Sequence, residues 1–138
     1  MIDGKEITIL DESYNANPTS MRAAISSAAQ QAEGRTIAVL GDMFELGKDE
    51  LALHAELAPD IEAANISRVI FTGECMRALR GALRRDLRGL WVGNAELAFD
   101  ALRGEIESGD TVLVKGSNAS GLGELIRLIK SYKNEGSA

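Results

Sequence analysis

Ile7-Thr8-Ile9-Leu10-Asp11-Glu12-Ser13-Tyr14-Asn15-Ala16-Asn17-Pro18 reads as a strand, a polar loop and the first turn of a helix. Ile7 to Leu10 is a short β-branched run, and it stops at Asp11. Asn17-Pro18 then opens a helix, because Asn caps helix N-termini well and Pro suits the first helical position. Met21, Ala24, Ile25 and Ala28 fall on one face of that helix, and Gly34 marks its expected stop.

The same unit recurs along the chain. Thr36 to Leu40, Arg68 to Phe71, Leu90 to Val92 and Asp110 to Val114 are further strand runs. Between them lie helical patterns over Asp49 to Ala64, Glu74 to Leu87 and Asn94 to Ile106, and a last one runs from Gly121 to Tyr132. Pro59 is expected to kink or split its helix. Leu51, Leu53, Leu57 and Ile61 are expected to face inward, as are Leu97, Ala98, Ala101, Leu102 and Ile106. Leu122, Leu125, Ile126 and Ile129 keep core spacing in the last helix, and the polar tail Asn134 to Ala138 is expected to fray. Strands alternating with helices predict an α/β domain, a Rossmann-like three-layer arrangement with a mostly parallel sheet of about five or six strands.

The bulk properties fit one domain spanning residues 1–138. Aromatic residues are only 4% of the chain, so Leu, Ile, Val and Ala must build the core. The formal charge of −6 disfavours nucleic acid as a partner but leaves a local phosphate nest open. The single cysteine, Cys75, forms no internal disulfide and is expected to pack. No run is long enough to cross a membrane, so membrane insertion is not expected. The abrupt start into a strand suits a domain excised from a longer chain, or a compact natural protein.

In parallel sheets, ligands sit beyond the carboxyl ends of the strands. Three loops there are polar and Gly-rich: Asp11 to Asn17, Gly41-Asp42-Met43, and Lys115-Gly116-Ser117-Asn118. Asp11 and Glu12 suit a ribose hydroxyl or a metal-bound water, while Tyr14, Asn15 and Asn17 suit a base or phosphate; for Asn17 a helix cap is a complete alternative. Lys115, Gly116 and Ser117 combine a cation, close backbone approach and a hydroxyl, as an anion site needs; a turn with a salt-bridged lysine is the plainer reading. Gly41 to Lys48 is no phosphate loop, because its glycines are five residues apart and Asp49 follows the lysine. No dinucleotide fingerprint follows the first strand. His54 lacks a ligand at metal spacing and is expected to be a partly exposed structural residue. Arg77, Arg80, Arg84, Arg85 and Arg88 are expected to form a solvated face, with an acidic docking partner as the alternative.

Taken in order, Asp11 to Met21, Ala38 to Gly47 with His54 downstream, and Val112 to Ser117 resemble the C-terminal domain of the Mur ligases, ATP-dependent peptide ligases of bacterial cell-wall synthesis. The likeness is to those members that join D-alanyl-D-alanine to UDP-N-acetylmuramoyl-tripeptide through an acyl phosphate. The resemblance implies a cytoplasmic, monomeric enzyme with an N-terminal UDP-sugar domain and a central ATPase domain, neither of which this chain contains. It implies ATP and Mg2+ as cofactors, with the Mg2+ ligands mainly in the central domain, and an isolated fragment without activity. It places Asp11, Tyr14, Asn15 and Asn17 toward the nucleotide, and Gly41, Asp42, Met43 and Gly116 toward the substrate. It gives Lys115 and Ser117 the catalytic contacts, Lys115 projecting into the inter-domain cleft, and no metal ligands to this chain. Relatives often carry two aspartates where Asp11-Glu12 stands here, and many carry Arg at the position of Asn118. Two alternatives stand beside this reading. A receiver-like signalling module would need an aspartate where the third strand ends in Thr72-Gly73. A free-standing small-molecule-binding domain would lack an ATPase neighbour.

Overall fold

The computed structural model describes residues 2–132, so the tail Asn134 to Ala138 lies outside the described residues. The strands are β1 (Thr8–Glu12), β2 (Thr36–Gly41), β3 (Arg68–Thr72), β4 (Arg88–Val92) and β5 (Thr111–Lys115). The helices are α1 (Pro18–Gln31), α2 (Glu50–Ala55), α3 (Ala58–Ala63), α4 (Met76–Ala82), α5 (Ala95–Glu105) and α6 (Leu122–Ser131). All the paired strands run parallel, in the order β1-β5-β2-β3-β4. The last strand therefore lies between the first two.

That order fixes where each helix goes. Crossovers between parallel strands are right-handed, so the direction of travel across the sheet selects the face. The chain moves one way from β1 through β2 and β3 to β4, and α1, α3 and α4 share one core with Leu10, Ala38, Leu40, Phe71 and Leu113. It returns from β4 to β5, and α5 and α6 cover the other face, against Ile37, Val39, Ile70, Val112 and Val114. Val112 and Val114 thus face one layer and Leu113 the other, the alternation a pleated strand requires. β2 and β5 are buried at every residue, which explains their unbroken apolar runs.

Local chemistry sets the ends. Asn17 Oδ1 accepts from Ser20 N at 2.8 Å, and Ser20 Oγ accepts from Asn17 N at 3.0 Å, a reciprocal capping box at α1. Asn94 Oδ1 caps α5 through Leu97 N at 2.8 Å. Pro59 splits its segment into α2 and α3. At the amino terminus, Asp3 and Gly4 have φ of 51° and 79°, and Ile2 bridges Lys5. Arg103 Nε donates to Asp3 at 3.0 Å and Tyr132 Oη donates to it at 2.6 Å, pinning this turn to α5 and α6.

Several local expectations are corrected. α1 stops at Gln31 with an extended Ala32, so Gly34 is not its cap. Gly34 instead lets the chain pass close to Gly109, whose carbonyl oxygen a Cβ would meet at 2.9 Å. The third helical segment is shorter than expected: α4 ends at Ala82, and a single 3-10 turn, Arg85–Leu87, leads into β4. Leu51 and Leu97 are exposed, because both lie in first turns that overhang the sheet's carboxyl rim. His54 is fully buried rather than partly exposed.

Candidate functional site

Strands whose following helices go to opposite faces leave a crevice between their carboxyl ends. β5 leads to α6 on one face, while both neighbours, β1 and β2, lead to helices on the other. The loop Lys115-Gly116-Ser117 therefore sits at a switch point, flanked by Asp11 to Asn17 and Gly41 to Met43. The three loops expected to form a site are brought together at one end of the sheet.

They are also bonded to one another. Glu12 lies in register with Lys115, and Lys115 in turn with Leu40. Ser117 N donates to Asp42 O at 3.1 Å, and Lys115 Nζ donates to Asn15 O at 2.8 Å. Gly41 and Gly116 pack backbone to backbone: a Cβ on Gly116 would stand 3.0 Å from Gly41 Cα and 2.7 Å from Ser120 Oγ. A side chain at either position would have to displace Ser120 and Leu122.

The side chains divide into two sets. Tyr14 is 65% exposed, and Asp11, Asn15 and Asn17 are also exposed around the crevice. Asp11 Oδ1 accepts from Ser13 N and Ser13 Oγ at 3.1 and 2.6 Å, a local turn that orders the loop. Ser117 Oγ is buried and has no hydrogen-bond partner among the described residues. A buried hydroxyl in that condition at a switch point suits a polar ligand atom, such as a phosphate oxygen. Lys115 does not project into a cleft; it is 2% exposed and its amine lies beneath the loop over Asn15. Burial lowers its pKa, and the carboxylate of Glu12 opposes that shift.

Asp42 and Met43 are turned inward. Asp42 Oδ2 and Oδ1 accept from Cys75 N at 3.1 Å and Met76 N at 3.0 Å, capping α4 from a distant strand end. Met43 is fully buried, and its N–H donates to His54 Nε2 at 2.9 Å. His54 Nδ1 lies 2.6 Å from Glu50 O. A carbonyl can only accept, so Nδ1 carries the proton and Nε2 is the acceptor. Asp42, His54 and Cys75 bring ligand-type atoms within 4.8 Å of one another, a proximity that sequence spacing had hidden. In this arrangement both imidazole nitrogens and both carboxylate oxygens serve backbone groups. Burial pushes the Cys75 thiol up to about 11, with Asp42 and Glu50 adding to the shift.

A second crevice was not expected. β3 and β4 also send their helices to opposite faces, and a cavity of about 280 Å³ opens there, lined by Asp42, Phe44, Thr72, Gly73, Trp91 and Ser120. Phe44 is 45% exposed at its mouth. Trp91 Nε1 donates to Gly73 O at 2.8 Å, and the Arg77 guanidinium lies 3.7 Å from the ring centroid. The signal was present in Thr72-Gly73 and Gly93-Asn94, which are also strand-end loops. The basic cluster is largely tied up locally. Arg80 donates to Gly89 O, Arg88 to Leu83 O and Gly81 O, while Arg77 and Arg84 pair with Glu74 and Asp86.

No helix among the described residues is long and apolar enough to cross a membrane. Residues 1–118 match the family described as Mur ligase, glutamate ligase domain. The UDP-N-acetylmuramoyl-tripeptide–D-alanyl-D-alanine ligase of Mycobacterium tuberculosis is 37% identical over 145 residues, covering 87% of this chain and 28% of that protein. The Bacillus subtilis ligase of the same name is 34% identical over 131 residues, covering 91% of this chain and 28% of that protein. This chain thus spans less than a third of the length of those relatives. Among solved structures, MurF from Acinetobacter baumannii superposes with a TM-score of 0.77 at 27% identity, over 90% of this chain and 28% of that one. MurF ligase from Thermotoga maritima, solved in complex with ADP, shares the fold with a TM-score of 0.79 at 24% identity, over 97% of this chain and 30% of that one. A receiver-like module is not favoured by these matches, and the chain belongs to the Mur ligase family, as its glutamate ligase domain.

Proposed function

We propose that this chain is the C-terminal domain of a cytoplasmic ATP-dependent ligase that joins D-alanyl-D-alanine to UDP-N-acetylmuramoyl-tripeptide in peptidoglycan synthesis. One observation carries this reading: the three motifs that pointed to the family lie side by side at one switch point, in a chain whose relatives bear that ligase's name. In such a ligase, ATP phosphorylates the tripeptide carboxylate, and the dipeptide amine displaces phosphate from the acyl phosphate. Asp11, Tyr14, Asn15 and Asn17 face the nucleotide. Gly41 and Gly116 serve the substrate side by packing the two loops against each other and against Ser120 and Leu122, while Asp42 and Met43 act from behind by holding the loop after β2. Ser117 Oγ donates to a phosphate or carboxylate oxygen.

The chain supplies orientation and water exclusion when it closes on its partner domains. Phosphate-loop chemistry and Mg2+ come from the central domain, since Gly41 to Lys48 does not have phosphate-loop spacing. Phosphate release with ATP, Mg2+ and both substrates tests this directly. The isolated chain is expected to stay at background and the full-length ligase to turn over. Turnover by the isolated chain overturns the assignment. In the full-length ligase, Asn15→Ala is expected to raise the KM for ATP with little change in melting temperature, because the side chain is exposed.

A further inference from the structure

Lys115 sits where a sheet would ordinarily place an apolar residue. Leu113 faces α1, so Lys115, two residues on, faces the same way. There it is buried, and its amine reaches the β1–α1 loop at Asn15. A buried ammonium is costly unless it is hydrogen-bonded. Its bond to Asn15 O, 2.8 Å long, is charge-assisted and spans 100 residues of sequence. The exposed side chains of Tyr14 and Asn15 flank the carbonyl it holds. Their own backbone groups have no strand to fix them, since β1 ends at Glu12 and α1 begins at Pro18.

We propose that Lys115 is a positioning residue for the nucleotide-facing loop: its ammonium clamps the main chain at Asn15 onto the switch-point strand and so sets where Tyr14 and Asn15 point. The role rests on the nucleotide-facing reading of that loop, but the clamp itself does not. It differs from a direct contact with a reacting phosphate or oxyanion, because its effect passes through loop order and appears in ATP binding before it appears in turnover.

Two measurements test it on the wild type, Lys115→Met and Lys115→Arg. The first is the backbone order of Tyr14, Asn15 and Ala16 in the 138-residue chain, read by nitrogen relaxation. The second is the split between KM for ATP and kcat in the full-length ligase. In Lys115→Met the order parameters of these residues are expected to fall from about 0.85 to below about 0.6. The KM for ATP should rise roughly tenfold or more, with kcat within about threefold. Lys115→Arg, which can still donate to the same carbonyl, should restore loop order and most of the KM. Unchanged loop order in Lys115→Met overturns the proposal. So does a collapse of kcat with KM intact. If Lys115→Met does not fold, Lys115→Arg decides: restored order with near-normal KM supports the clamp, and an ordered loop with a collapsed kcat overturns it. Loop order is read without ATP, so its failure sinks the clamp alone. A full-length protein without ligase activity sinks the functional reading alone.

Discussion

Asp42 separates a structural from a substrate-binding reading of the loop after β2. Its carboxylate is 6% exposed and accepts from two backbone N–H groups, those of Cys75 and Met76. Gly73 packs so tightly on it that a Cβ there would stand 2.4 Å from Asp42 Cγ. In Asp42→Ala, both N–H groups lose their acceptor in a buried place. Each such loss costs roughly 1–3 kcal/mol, and a negative charge near a helix N-terminus contributes about 0.3–1 kcal/mol more. Relief of the carboxylate's own desolvation offsets part of this, leaving a net loss of about 2–5 kcal/mol. A domain of this size loses about 0.3 kcal/mol per degree near its midpoint, so Tm should fall by roughly 7–17 °C. Asp42→Asn keeps one acceptor and turns an amide N–H toward a backbone N–H, so it should lose about 1–3 kcal/mol. Urea unfolding of the chain, with calorimetry for Tm, reads both variants. If Asp42→Ala unfolds within about 0.5 kcal/mol of the wild type, as a surface substitution would, the reasoning fails and the carboxylate belongs to the ligand site.

Two further outcomes follow from the same geometry. Cys75, buried and with its thiol pushed up to about 11, should resist alkylation at pH 8 in the folded chain and react only as the chain unfolds; rapid labelling of native protein would refute this. Hydrogen bonds from Arg103 and then Tyr132 hold Asp3 below its ordinary 3.8. A depressed carboxyl contributes stability that is present above 3.8 and is lost as pH falls through the folded value, because the unfolded chain takes the proton first. The Tm difference between wild type and Asp3→Asn, which keeps the turn, should therefore be steady at neutral pH and shrink below 3.8; a difference independent of pH would show that the carboxylate's charge contributes nothing.

What was legible in the sequence was local. β2 and β5 announced themselves as unbroken apolar runs because both faces of each are covered. Asn17, Asn94 and Pro59 act within a few residues of themselves, and each does what its neighbours suggested. The rest depended on partners far along the chain. No periodicity places β5 between β1 and β2, yet that placement puts Lys115 under Asn15, 100 residues away. The resemblance placed Asp42 toward the substrate, but nothing local announced that its carboxylate accepts from backbone groups 33 and 34 residues on. His54 was expected to be partly exposed because it sits within a helical pattern and has no ligand neighbour at metal spacing. It is buried because a loop N–H 11 residues earlier needs its lone pair. The second crevice was overlooked because two ordinary Gly turns gain meaning only once β3 and β4 are known to send their helices to opposite faces.

The insertion of β5 between β1 and β2 also governs how the chain comes into being. Emerging from a ribosome, residues up to Asp110 hold β2, β3 and β4, but β1 has nothing to pair with and β2 has one bare edge. Exposed edges of this kind recruit other strands. Only when Thr111 to Lys115 arrive do both close at once, through long-range pairings such as Thr8 with Thr111 and Thr36 with Thr111. Productive folding of this domain thus waits until Thr111 to Lys115 have been made, and a nascent chain stalled before Thr111 would be a sticky half-sheet in need of a chaperone.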